Sequence, residues 1–247
     1  MNKDKAITLL KENLNFLQTL SVKDNLIYRK LKYFNTSSFK QWYYENRHKI
    51  NSVKNKIWIP KDINDYLNLN VKVIPVNDQN TNFIWTVLRI FTHSAMWAQN
   101  PGRHQRFLVV HEDEFTNLLG ATQKNWKYLG IISLGSDFIS VGGRDEYIGW
   151  TRDQRLNGML KHTCMASTIA PTQPLGYNYL GGKLIALMTC SDVVQNTWDS
   201  KYKENLVGIT TTSLYGGFSQ YNNLKYWRKC KSTEGNIPLE PSEDVYE

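Results

Sequence analysis

Cysteine is scarce in this 247-residue chain: Cys164, Cys190 and Cys230 are its three, widely spaced and without a CxxC pair. An odd, scattered set excludes a disulfide framework and a thiolate zinc knuckle, and it points to a reducing, cytoplasmic compartment. No apolar run approaches the ~18 residues a membrane helix needs. The opening residues MNKDKAITLL lack the apolar stretch and cleavage site of a secretory signal. His93, His104, His111 and His162 show no HxxxH or HExxH spacing. The run from His111 through Glu112 and Asp113 to Glu114 has no partner ligand in sequence, so no metal is expected. No GxSxG elbow is present. Internal repeats and low-complexity segments are absent as well.

What the chain does have is an uneven positive charge. Its net +8 lies wholly in residues 1–56, which hold 12 Lys and Arg against 4 Asp and Glu. The remaining 18 residues of each sign cancel. In this basic segment Arg29, Lys30, Lys32, Arg47 and Lys49 are interleaved with Tyr33, Trp42 and further aromatics. Cations that neutralise phosphate beside rings that stack on bases suit nucleic acid, here double-stranded DNA. The plainer alternative is a solvated helical face backed by an aromatic core.

Periodicity predicts helices over residues 4–20 and 24–34, and a third from a Ser38-x-x-Gln41 capping box to about Ile50. Residues 51–70 read as a polar linker. Beyond them the texture turns α/β. Strands are expected over 71–75, 106–111, 128–134, 163–169 and 206–213. Helices are expected over 81–98, 112–120, 178–198 and 219–229. Strands in succession followed by alternation imply one mixed sheet flanked by helices.

Three blocks could carry chemistry. The first is GGRDEYIGWTRDQRLN, residues 142–157, where Arg144, Arg152 and Arg155 alternate with Asp145 and Asp153 around Trp150. Exposed ion pairs stabilise little, about 0–1 kcal/mol, so Arg144 and Arg155 are candidates for bidentate grip on phosphate or carboxylate. The second is APTQPLGYNYLGGKL. It misses a Walker A loop because Gly182 intervenes before Lys183 and Leu184 replaces the hydroxyl. Gln173, Gly176, Asn178, Gly181, Gly182 and Lys183 could still frame an anion at a helix start. Alternatively, the glycine pair admits a neighbouring backbone. The third is ITTTSLYGGFSQYNNLKYW, where Thr210 and Thr212 face oppositely to Thr211 and Ser213 on a strand. Ser213, Tyr215 and Tyr221 are candidate hydroxyl donors or acids, with Thr211 and Asn222 beside them. Cys164 falls in a buried strand and reads as inert packing.

Taken together, RDEYIGWTRDQRLN, NYLGGKLIALM and GITTTSLYGGFSQYNNLKYW resemble the DruA-type domain of anti-phage systems, phages and mobile elements. The likeness covers roughly residues 128–237. Two departures mark a divergent, phage-type branch: the family's glutamate near the last strand is replaced by the hydroxyl run Thr210–Ser213, and its NLAS-like stretch has become LGGK. That family in turn resembles the acetyltransferase-like GNAT fold, including the phage adenine-modifying protein Mom. The resemblance implies an acyl-coenzyme A or other phosphate-bearing donor on the second block. It also implies Ser213, Tyr215, Tyr221 and Asp145 as catalytic groups, in the cytoplasm of a bacterial or phage-infected cell.

The expected organisation is a basic helical segment (1–69), an acetyltransferase-like α/β domain (70–238) and an acidic tail (239–247). The expected function is a nucleic-acid-directed, acyltransferase-like enzyme acting on a base or base-linked amine in DNA. The alternatives are a non-catalytic DNA-binding component of phage defence or counter-defence, and a protein whose basic segment binds an acidic partner.

Overall fold

The computed structural model describes residues 8, 11, 12, 15, 37–92, 102–116, 122–213 and 219–230, with side chains described except at 37–41, 115–116, 122–123 and 177–178. The chain forms two compact units, residues 1–52 with 93–98, and residues 53–92 with 99–247. In the first, Thr8, Lys11, Glu12 and Asn15 are helical; the rest of the helices expected over 4–20 and 24–34 lies outside the described residues. The third expected helix is α1 (Ser37–Lys54), which outruns its expected end at Ile50 because no glycine or proline stops it.

The second unit holds α2 (Ile63–Leu67), β1 (Val71–Pro75), α3 (Gln79–Thr92), β2 (His104–Thr116), β3 (Thr122–Ser136), α4 (Gly142–Ile148) and α5 (Arg152–Leu156). A 3-10 turn (Met159–His162), β4 (Thr163–Pro171), α6 (Leu175–Asn178), α7 (Gly181–Thr189), α8 (Asp192–Tyr202) and β5 (Gly208–Thr210) follow. The five strands lie in sequence order. β1 to β4 pair antiparallel, and β5 joins β4 in parallel. The parallel step needs a crossover, which α6, α7 and α8 supply.

The apolar runs RFLVV and YLGIISL explain the centre of this sheet. Phe107, Leu108, Val109 and Val110 are all fully buried, as are Leu129, Ile131 and Ile132. Strands covered on both faces read as continuous apolar runs. Phe107, Val109 and Ile132 share one core with Ile185 and Ala186 of α7 and with Val194 and Trp198 of α8. Trp58, Tyr66 and Leu69, from the stretch read as a linker, belong to that same core. The amphipathic α3 packs on β2 and β3, and its buried Trp85 donates from Nε1 to the Ile132 carbonyl (3.0 Å).

Four expectations are corrected. No helix occupies 112–116: β2 continues to Thr116 in a long hairpin with β3. Cross-strand partners decide this, because Glu112 accepts from Lys124 Nζ (3.0 Å) and Trp126 Nε1 (3.1 Å). The helix expected over 178–198 is broken twice, at the left-handed Leu180 (φ 53°) and again at Cys190 and Ser191 before α8. β5 covers only Gly208–Thr210 of the expected 206–213. Residues 219–223 turn instead of starting a helix, with Asn222 N–H on the Ser219 carbonyl (3.1 Å) and Asn223 left-handed at φ 61°. Side-chain bonds to neighbouring backbone, described next, hold that turn.

Candidate functional site

β4 and β5 stay paired only over Thr163–Met165 and Gly208–Thr210. Beyond that point they part. A register shift against β3 makes Ser167 the extra residue of a β-bulge, and it is the one exposed position in β4. The parted edge leaves β4 carbonyls to be satisfied by other means. Thr211 Oγ1 donates to the Ala166 carbonyl (3.0 Å). Gln220 Nε2 donates to the Ile169 carbonyl (2.9 Å) and to the Tyr221 hydroxyl (3.0 Å).

The Tyr221 hydroxyl is consequently set between chain elements. Burial pushes its pKa up, opposed by hydrogen bonds from Gln220 and Thr211. The phenol is therefore neutral at physiological pH and carries a proton. Its ring packs on Trp227 at 4.6 Å, and Trp227 Nε1 donates to the Ala186 carbonyl of α7 (3.0 Å). The turn over 219–222 is thereby tied to both β4 and α7.

The glycine pair at the start of α7 is occupied by protein. A Cβ on Gly181 would lie 2.4 Å from Leu175 Cγ and 2.7 Å from the Leu175 carbonyl oxygen. One on Gly182 would lie 2.5 Å from Gln220 Oε1. Lys183 Nζ donates to the Asn222 carbonyl. Further back in the loop, Gly176 is covered by the Gln173 side chain, whose Nε2 would be 2.6 Å from a Cβ there. Thr172 is buried and anchors the loop by donating to the Tyr128 (3.0 Å) and Leu129 (3.1 Å) carbonyls.

Arg144, Asp145, Trp150 and Arg155 form a separate constellation between β3 and β4. The Arg144 guanidinium gives Nη1 to Asp137 Oδ1 (2.7 Å) and to the Phe138 carbonyl (3.0 Å). It gives Nε (2.8 Å) and Nη2 (2.6 Å) to Asp145 Oδ1 and lies 5.7 Å from the Trp150 ring. Arg155 Nη1 reaches Asp145 Oδ2 (3.1 Å) and the Trp150 carbonyl (3.0 Å). Side-chain exposure is 4% for Arg144 and 0% for Asp137, which places this pair in the interior. Two arginines and two aspartates balance in charge; the Arg144 donors are spent within the protein, while Arg155 Nε is buried without a hydrogen-bond partner among the described residues.

Thr210 and Thr211 join the two constellations. The Thr210 hydroxyl donates to Asp137 Oδ2 (3.1 Å), and its neighbour turns to β4. The opposite facing expected of a strand is what the structure has. Among the expected site residues, Gly182, Lys183, Thr211, Tyr221 and Asn222 are brought together, while Ser213 follows β5 as a half-buried residue. Asn178 ends α6. Trp42, Arg47 and Lys49 lie on α1, Trp42 half-buried and the two cations exposed. Tyr215, Arg29, Lys30, Lys32 and Tyr33 lie outside the described residues.

Sequence reading missed Asp137 and Gln220. Asp137 is a lone carboxylate at a strand end, and its only signal was its nearness to the arginine-containing segment that follows. Gln220 carried no signal beyond its place in a polar, Asn-rich turn. Among the described residues no group of three or more His, Cys, Asp or Glu could hold a metal ion, and no helix is long and apolar enough to cross a membrane. Cys164 is fully buried, and burial pushes its thiol far up.

The family model described as Druantia protein DruA matches residues 21–247. A curated Druantia protein DruA from Escherichia coli (strain UMEA 4076-1) is 29% identical over 170 residues, covering 62% of this chain and 39% of the relative. The chain thus spans well under half the length of that relative. No solved structure matches.

Proposed function

The chain belongs to the DruA family, and from that premise we propose that it is a nucleic-acid-binding component of Druantia-type anti-phage defence. One observation carries this reading over a catalytic one: the groups of the expected donor loop are engaged by the chain itself. Leu175 fills the space at Gly181, Gln220 fills it at Gly182, and Lys183 is held by the Asn222 carbonyl. These contacts count against a phosphate-bearing donor of the acyl-coenzyme A type on the loop as it stands. The cations that remain exposed include Arg47 and Lys49 on α1, inside the segment that holds the whole net charge.

Gel shift of a labelled 20-base-pair duplex over a salt series tests this. Each phosphate contact adds about −0.9 to the slope of log K against log salt. The Arg47→Gln, Lys49→Gln double variant is expected to flatten that slope by about 1.8. Absence of any shift at low salt would remove the reading.

A second reading, a transferase of the acetyltransferase-like class acting on DNA, is favoured by the strand directions. Four antiparallel strands, a bulge at Ser167 and a parallel pair that parts beside a helix start agree with the fold the resemblance implies. The neutral Tyr221 phenol at the parting is suited to protonating a leaving group. That reading requires the turn over 219–222 to move aside. Acetyl-coenzyme A at a hundred times its Kd would stabilise the protein by about 2.7 kcal/mol, which melting would register. Mass analysis of nucleosides from cells making the protein decides the chemistry, and an unchanged profile rejects it.

A further inference from the structure

A cleft of about 370 Å³ opens beside the start of α3, between the end of β1, the first residues of β2 and the last turn of α8. Its size is that of a small-ligand site, which commonly spans about 300–1,000 Å³. Its lining is unlike that of an apolar ligand site, since Val76 is the sole aliphatic residue among those that form it. Amides and cations make up most of the wall, and the cations outnumber the carboxylates.

Arg106 forms one side. Its guanidinium lies over the Trp85 ring at 4.4 Å, and Nη1 donates to Asn82 Oδ1 (2.7 Å). A stacked, tethered guanidinium is already ordered, so little conformational freedom is lost when an anion meets it. Lys201 forms the other side. Its Nζ donates to the His104 carbonyl (2.9 Å) and to Gln105 Oε1 (2.9 Å). An ammonium has three N–H bonds, and these contacts use two. Gln105 is itself buried and bonded through Nε2 to the Arg106 carbonyl (3.0 Å), so the anchor of Lys201 is fixed.

The field in the cleft is positive. His104, at its edge, has its pKa lowered by partial burial and by the charges of Lys201 and Arg106. The carboxylate on the lining, Asp78, turns towards α3. Its Oδ1 accepts from Thr81 N–H (2.9 Å) and its Oδ2 from the Thr81 hydroxyl (2.9 Å). The helix start therefore holds Asp78, and Arg106 and Lys201 both line the cleft.

We propose that this cleft binds a phosphate group, held by Arg106 and Lys201 with His104 at its rim. The phosphate is either a backbone phosphate of nucleic acid or part of a nucleotide. The first source rests on the nucleic-acid reading above; the second does not.

The full chain, its Lys201→Gln and His104→Asn variants, and a charge-matched control Lys72→Gln on exposed β1 are titrated with two probes. One is the labelled duplex, read by anisotropy, and the other is inorganic pyrophosphate, read by calorimetry. Loss of a charge-assisted contact is expected to weaken binding about tenfold in Lys201→Gln, with Lys72→Gln unchanged and melting temperatures equal. Weakening for the duplex alone assigns a backbone phosphate, weakening for pyrophosphate alone assigns a nucleotide, and weakening for both keeps the site with either source. If Lys201→Gln and His104→Asn match the control within twofold for both probes, or if the unmodified chain binds neither probe at low salt, the site is refuted. A duplex that binds unchanged in Lys201→Gln but is lost in the α1 variants would refute this assignment for the duplex and leave the nucleic-acid reading standing.

Discussion

Replacing Arg144 by Met should destabilise the second unit severely, and the network around it gives the size. The substitution removes the bonds from Nη1 to Asp137, from Nε and Nη2 to Asp145, and from Nη1 to the Phe138 carbonyl. The Asp137 carboxylate, with no exposed surface, would keep the Phe138 N–H and the Thr210 hydroxyl but lose its counter-charge. Breaking a buried pair by removing one partner costs about 3–5 kcal/mol. At about 2–4 °C per kcal/mol for a domain of this size, melting should fall by roughly 6–20 °C. Burial also shields the pair from salt, so the loss should be nearly the same at 0.05 and 0.5 M NaCl. Removing the orphaned charge as well, in Arg144→Met with Asp137→Asn, should recover part of the loss. With Asp137→Asn measured alone as well, the departure of the double variant from the sum of the two singles measures the coupling. Calorimetry and urea melts suffice. A loss below about 1 kcal/mol, the worth of an exposed pair, would refute the reasoning.

The glycines at the start of α7 should respond unequally. Gly181→Ala presses on Leu175 backbone and should cost about 1–3 kcal/mol, whereas Gly182→Ala meets the movable end of Gln220 and gains helix propensity of up to about 1 kcal/mol. Equal melting of the two would refute this account of the pair. The fully buried Cys164 thiol stays protonated well above neutral pH, so a native-state alkylating agent followed by mass spectrometry should mark the exposed Cys230 first and Cys164 only after denaturation. Because the folded-state value of Cys164 is raised, its contribution is complete below the unfolded thiol range near ~8.5 and declines as pH rises beyond it; a Cys164→Ala variant should lose that alkaline dependence in melts. Glu112 runs the other way. Hydrogen bonds from Lys124 and Trp126 hold its carboxyl below the ordinary value, so its contribution is present above the unfolded range near ~4.3 and is lost as pH falls through the lowered one, and melts of Glu112→Gln between pH 2 and 6 should lack that acid step.

The sequence revealed the sheet more clearly than its edges. RFLVV and YLGIISL are apolar at nearly every position after Arg106, and such runs have little choice but the buried centre. Val71–Pro75 was legible for its flanking polar residues. The extension of β2 through Glu112–Thr116 was hidden because its stabilising partners, Lys124 and Trp126, are more than ten residues away. The break at Leu180 was hidden for a similar reason. A leucine in a left-handed conformation has no local signature, and the close approach of Leu175 to Gly181 beside it is a packing event. At the candidate site, Thr211, Tyr221 and Asn222 stood out by residue type, and the structure sets them near one another. Their partners did not stand out, because a glutamine amide or a lone aspartate is informative only once its surroundings are known. The arginines of the GGRDEYIGWTRDQRLN stretch illustrate this best. Their pattern suggested ligands, yet it serves equally for an interior network whose fourth member comes from another segment.

The bond between Thr210 and Asp137 also bears on which residues position 210 can hold. Its hydroxyl lies 3.1 Å from Asp137 Oδ2. A glutamate there, of the kind the resembled family carries near its last strand, would bring a second carboxylate against one that already has no solvent. Two carboxylates so placed cannot both ionise. Within the hydroxyl run Thr210–Ser213, Thr210 donates its hydroxyl proton to Asp137 in a hydrogen bond: the carboxylate just past the end of β3 meets a proton donor at the end of β5.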